Sequence, residues 1–187
     1  CILAVNHLGR LDAPIVFMVL DRQNVTGLVT TKYKKSPFYN WLVNAVDGIW
    51  VDRDNPDPRA LREATEFLKN GGALGIAPEG TRSKTHALQA PKGGAAYLAI
   101  RAGVPIIPTA IAGTELALHE LLRLRKPHMR ITFGEPLVLP PLERKDREAA
   151  LQRATDEIMC RIAALLPEHY HGVYTGHPRV QELLEAA

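Results

Sequence analysis

Apolar residues fall along this chain in blocks of two kinds. Short, nearly unbroken runs cover residues 1–5, 49–51, 73–77 and 104–111, with a β-branched stretch over 25–31 and a further strand segment at 129–133. Runs of this length, bounded by glycine, proline and polar turns, predict strands. Between them the apolar positions recur every third or fourth residue. Leu61, Ala64, Thr65 and Leu68 mark one face of a helix over 59–69, and the pair Gly71-Gly72 closes it. Leu151, Ala154, Ile158, Ile162 and Leu165 mark a long amphipathic helix over 143–166. Residues 11–20 are almost all apolar and predict a buried helix that Asp12 caps, with Pro14 in its first turn. Ser36-Pro37 starts a further helix with Trp41, Val43 and Val46, and residues 95–102 form another ending at Gly103. Residues 114–124 read as a helix or an irregular lid. Two prolines in 104–111 place that strand at an edge, a bulge or a strand end.

Strands alternate with helices throughout. The expected fold is therefore α/β, a single domain with a largely parallel central sheet covered by helices on both faces. Residues 1–166 make the catalytic domain, and 167–187 a C-terminal tail that packs on it or frays. In such sheets binding sites gather at the carboxyl ends of strands. His7, Arg53 and the segment from Glu79 to Arg82 each follow directly after a predicted strand.

Composition narrows the class. With 46% apolar and 23% charged residues among 187, the chain can build a full core. A formal charge of +3 suits anionic substrates or an anionic membrane surface. No basic stripe points to nucleic acid. Two cysteines, Cys1 and Cys160, have no metal-ligand spacing and imply no disulfide framework. His169, His171 and His177 lie in the tail without a matching cysteine or carboxylate pattern, so no metal is expected. No apolar run is long enough to span a bilayer. The basic turn 32–35 beside the aromatic helix with Phe38, Tyr39 and Trp41 reads as a bilayer-facing element or as a core helix behind a solvated turn.

The chemistry centres on Asn6-His7-Leu8-Gly9-Arg10-Leu11-Asp12. Five residues do not stack two side chains on one helix face, so His7 and Asp12 meet only if the loop between them folds back. A histidine held by a carboxylate at a strand end is a place for base chemistry. Otherwise Asp12 is a cap and His7 a loop histidine. Arg53 and Arg82, with Lys32 and Lys92, supply cations for a phosphate, helped by backbone N–H groups around Gly80-Thr81. Ser36 and Ser83, the two serines of the chain, sit in no nucleophile elbow. The simplest scheme has His7 deprotonate a hydroxyl that attacks an activated acyl group directly, with Asp12 fixing the tautomer.

Four blocks in order resemble the glycerolphosphate acyltransferase family, most closely its 1-acylglycerol-3-phosphate branch. They are Asn6-His7 through Asp12; Gly48 through Arg53; Pro78-Glu79-Gly80-Thr81-Arg82-Ser83; and Val104-Pro105-Ile106-Ile107-Pro108. Gly9 stands where serine is common in the family, and Ala77 where phenylalanine is. The resemblance implies that His7 is the general base and Asp12 its partner. It implies that Asn6, Lys32, Arg53 and Glu79-Gly80-Thr81-Arg82 bind substrate, chiefly the glycerol phosphate. Pro105 would shape the acceptor or acyl-chain site. The donor would be a fatty acyl thioester on coenzyme A or acyl carrier protein, a co-substrate and not a cofactor. The acceptor would be a lysophospholipid, the product phosphatidic acid, and the workplace the cytoplasmic face of a membrane, with any N-terminal anchor outside this chain. Glycerol 3-phosphate, another lysophospholipid or water are alternative acceptors, and a non-catalytic phospholipid-binding module is the alternative of another class.

Overall fold

A computed structural model describes residues 1–20, 23–52, 55, 57–142 and 144–186. Six strands form one sheet: β1 (Ile2–Val5), β2 (Val25–Thr30), β3 (Ile49–Val51), β4 (Ala73–Ile76), β5 (Ile106–Ala112) and β6 (Arg130–Phe133). Their spatial order is β3-β2-β4-β1-β5-β6, parallel except for the last pair. The helices are α1 (Asp12–Val19), α2 (Pro37–Ala45), α3 (Pro58–Lys69), α4 (Gly94–Ala102), α5 (Thr114–Leu122), α6 (Arg147–Ala164) and α7 (Pro178–Glu185).

The central strand β1 is buried along its whole length, which is why it reads as an unbroken apolar run. Its side chains alternate between two cores. Ile2 and Ala4 join the larger cluster with Ala64, Leu68, Ile158 and Met159 from α3 and α6. Leu3 and Val5 join a smaller cluster with Ile15, Val16 and Ile111, so α1 covers the opposite face.

Open alternatives narrow. Of the edge, bulge or strand end that two prolines suggest, the edge is excluded, because the strand is interior, between β1 and β6. Pro105 lies before it, and Pro108 lies just past the last β6 pair, Thr109 with Phe133. Gly134 N still donates to Pro108 O, so the proline accepts there and lacks only the return donor at the end of the ladder. The stretch 104–111 therefore shifts to Ile106–Ala112. The tail is folded: two 3-10 turns, Glu168–Tyr170 and Gly172–Tyr174, lead into α7. Tyr170, Tyr174 and Val180 are buried in the larger cluster.

Candidate active site

Parallel register fixes which strand ends share a rim. Val5 is level with Thr109, Ala4 with Ile76, and Gly27 with Gly75. The carboxyl ends of β1, β2, β4 and β5 therefore open on one edge, and the loops after them carry the candidate residues. Asn6 makes the transition. β5 runs on after β1 has ended, and the Asn6 amide continues the ladder with its side chain. Its Oδ1 accepts from Ile111 N at 2.7 Å and its Nδ2 donates to Ile111 O at 2.9 Å. At 1% exposure, Asn6 is a strut rather than a group facing substrate.

His7 is held from three sides. Its N–H donates to Glu79 Oε1 at 2.9 Å, its carbonyl accepts from Ser83 N at 2.8 Å, and its Nδ1 donates to Asp12 Oδ2 at 2.7 Å. A carboxylate only accepts, so the ring proton sits on Nδ1 and Nε2 keeps a lone pair. One third of the His7 side chain is exposed, while Asp12 is buried. The loop does fold back, and the reason is Asp12. Its Oδ2 also accepts the N–H groups of Leu8 and Gly9, at 2.7 and 2.9 Å. Asp12 is thus not the cap of α1. Leu11 holds that position, and the carboxylate turns back onto the loop that precedes it.

Gly9 permits the turn. A Cβ there would lie 2.6 Å from the carbonyl oxygen of Thr114, the first residue of α5. The α5 helix is thereby locked against the His7 loop.

Glu79 departs from the role that the resemblance implies. It is 3% exposed, and both carboxylate oxygens face inward: Oε1 to His7 N, Oε2 to Gln89 N and Nε2 at 3.1 and 3.3 Å. Burial pushes its carboxyl above the usual range, and the N–H groups of His7 and Gln89 oppose that shift. A buried carboxylate would repel a phosphate, so Glu79 holds the loop and not the ligand. Gln89 completes this clamp. Nothing periodic in the sequence marked it, since it lies ten residues further along an irregular loop.

The neighbouring residues face outward. Thr81 and Arg82 are exposed, and Arg82 forms no ion pair with any described residue. Gly80 has φ +68, a backbone conformation that glycine adopts freely, and the Lys92 stem passes over it. Lys92 N donates to Pro78 O at 2.8 Å, which ties that lysine to the loop. Lys32 is exposed in the 3-10 turn that follows β2 on the same rim. Arg53 lies outside the described residues, as do the side chains of Phe38 and Tyr39 in the aromatic helix. Ser83 is buried, and its Oγ donates to Ala87 O at 2.7 Å, so it staples the loop.

Pro105 is not brought to this rim. His7 is level with Ile111 by the register, six residues from Pro105 along β5. At 3.3 Å per residue that places Pro105 about 20 Å away, at the amino end of the sheet. Among the described residues no three His, Cys, Asp or Glu side chains gather in a metal-binding group. His171 Nε2 donates to Leu166 O, and His177 accepts from Arg179 N, so these two tail histidines serve the packing. No helix among the described residues is long and apolar enough to cross a membrane.

The sequence profile of the acyltransferase family matches residues 1–112, which span the whole rim. The chain is 32% identical over 131 residues to the 1-acyl-sn-glycerol-3-phosphate acyltransferase of Bacillus subtilis, covering 66% of this chain and 63% of that protein. The Escherichia coli enzyme of the same name is 30% identical over 145 residues, 74% of this chain and 55% of the relative. The crystal structure of the 1-acyl-sn-glycerophosphate (LPA) acyltransferase PlsC from Thermotoga maritima aligns with a TM-score of 0.59 and 26% identity, over 84% of this chain and 65% of that one. The chain spans about half the length of the curated relatives it matches.

Proposed function

The chain belongs to the acyltransferase family, and we propose on that premise that it moves a fatty acyl group from a thioester to the free hydroxyl of 1-acylglycerol 3-phosphate, giving phosphatidic acid. The observation that carries this reading is the 2.7 Å contact of His7 Nδ1 with a buried Asp12 that also pins the loop around the ring.

The acceptor hydroxyl gives its proton to His7 Nε2 as its oxygen attacks the thioester carbonyl. The imidazolium is stabilised by Asp12, which stays ionised. The tetrahedral adduct collapses, the C–S bond breaks, and the leaving sulfur takes the proton back from Nε2. An ester and a free thiol result, with no covalent enzyme intermediate. Arg82 and Lys92 offer cations to the acceptor phosphate, Lys32 is assigned to the same task from the neighbouring loop, and the family resemblance adds Arg53. Coenzyme A and acyl carrier protein are the two donor carriers to compare, and the enzyme works at a membrane surface.

The test is thiol release from palmitoyl-coenzyme A in detergent, with and without lysophosphatidic acid. Release that requires the acceptor, with phosphatidic acid as product, supports the reading. Equal release without acceptor makes the protein a thioesterase and overturns it. Repeating the assay with palmitoyl-acyl carrier protein assigns the donor.

A further inference from the structure

The α5 helix starts at the site rim, against Gly9, and then leaves the core. After Ala117 the chain stays at the surface until β6. Leu116 before this stretch and Leu118, Leu121, Leu122, Leu124 and Met129 along it are exposed, Leu122 by 78% and Leu124 by 96%. So many large apolar side chains in water over so short a span is unusual for a surface that meets only solvent.

The backbone supports the same conclusion. Leu124 has φ +56, a left-handed conformation that bulky residues rarely adopt. It occupies the helix-ending position where glycine is usual: Arg125 N donates to Glu120 O, and Leu124 N to Leu121 O. Glycine would close this turn more easily. The leucine contributes nothing to the core in return, since its side chain is almost wholly in solvent.

Charge completes the pattern. Arg123, Arg125, Lys126 and Arg130 alternate with those apolar side chains, and no acidic residue lies between 121 and 130. All four cations are exposed. Apolar side chains that enter the acyl region, ringed by cations at headgroup level, are what an anionic bilayer surface complements.

We propose that residues 116–130, the second half of α5 and the turn into β6, dock this protein on an anionic lipid bilayer. The occupant is the lipid surface itself. The proposal extends the functional reading, because an acceptor and a product that reside in a bilayer would be met where α5 leaves the site rim. Docking is read without turnover, so the two can fail separately.

The experiment is co-sedimentation of the purified protein with vesicles of phosphatidylcholine and phosphatidylglycerol, and with phosphatidylcholine alone. The native protein should sediment with the anionic vesicles, bind the neutral ones less, and be released by salt. Leu122→Ser/Leu124→Gly and, separately, Arg123→Glu/Arg125→Glu should each weaken anionic-vesicle binding about tenfold or more. Leu124→Gly alone should melt at the same temperature as the native protein or higher, which separates lost docking from lost folding. Trp41→Ala should bind as the native protein does. Unchanged binding by both double variants overturns the proposal, as does binding that follows Trp41. A native dimer that Leu122→Ser/Leu124→Gly converts to a monomer also overturns it and assigns the patch to a second copy. Turnover on detergent-dispersed acceptor should persist in these variants, and its loss in the native protein would count against the proposed function alone.

Discussion

At the scale of the residue, Asp12 organises the site. One oxygen receives three N–H groups, so the same interaction that sets the His7 tautomer also folds the loop. Gly9→Ala tests how tightly that loop is packed. The new Cβ would fall 2.6 Å from a backbone carbonyl, so α5 or the loop must move. The expected cost is about 1–3 kcal/mol in denaturant unfolding, with reduced turnover. Glu79→Gln leaves either the His7 side or the Gln89 side of the clamp facing the amide NH2, which donates and cannot accept. It should destabilise by about 1–3 kcal/mol. Because the Glu79 carboxyl is raised in the folded protein, its ionised form opposes folding at neutral pH, and that cost is relieved as pH falls through the raised value. The stability gap should therefore shift in favour of the native protein as pH falls, measured by denaturant titrations at a series of pH values. The His7–Asp12 pairing was legible from the block of residues it sits in. The inward turn of Glu79 was not, because sequence does not say which backbone N–H, 72 positions away, a carboxylate will meet.

At the scale of the element, α6 and α7 are joined by one carboxylate. Glu157 accepts from Arg161 at 2.7 Å and from Arg179 at 2.8 and 2.9 Å. The Arg179 bonds, aided by Arg161, hold the Glu157 carboxyl below its ordinary value of 4.5, against partial burial. The sign follows from linkage: a lowered carboxyl stabilises the fold above pH 4.5, and that contribution is lost as pH falls through the folded-state value. Glu157→Gln should therefore cost about 1 kcal/mol at pH 7 and flatten the loss of stability below pH 4.5, followed by chemical denaturation. The strands and most helices were legible because an apolar run and a three-to-four periodicity are local signals. The place of β5 was not, because strand order depends on which runs pair, and two prolines left an edge, a bulge or a strand end open. Pro105 fell with it: its block matched, but the register puts it at the amino end of the sheet, away from His7.

At the scale of the molecule, the tail belongs to the site. Tyr170 O accepts from Leu88 N at 2.8 Å, and Leu88 O from Val173 N at 3.2 Å. Leu88 precedes Gln89, which holds Glu79, which holds His7. The Tyr170 hydroxyl donates to Glu115 and accepts from Gly113 N, at 2.8 and 3.2 Å, so the same residue fastens the start of α5. Tyr170→Phe should cost about 1–2 kcal/mol in thermal or denaturant unfolding, with a fall in turnover smaller than that of His7→Ala. The sequence left this segment between packing and fraying, because its short 3-10 turns carry no helical stripe and its hydrogen-bond partners lie up to 85 residues upstream.

The central claim is that His7 is the base of an acyl transfer. The most direct measurement is thiol release from palmitoyl-coenzyme A in the presence of lysophosphatidic acid, comparing the native protein with His7→Ala. His7→Ala takes one of three N–H donors from the buried Asp12 carboxylate and leaves those of Leu8 and Gly9, so the variant should stay folded at a cost of about 1–3 kcal/mol. Its turnover should fall by about 10²–10⁴-fold, the range of a positioned general base. A folded His7→Ala protein that releases thiol and forms phosphatidic acid at the native rate would contradict the account.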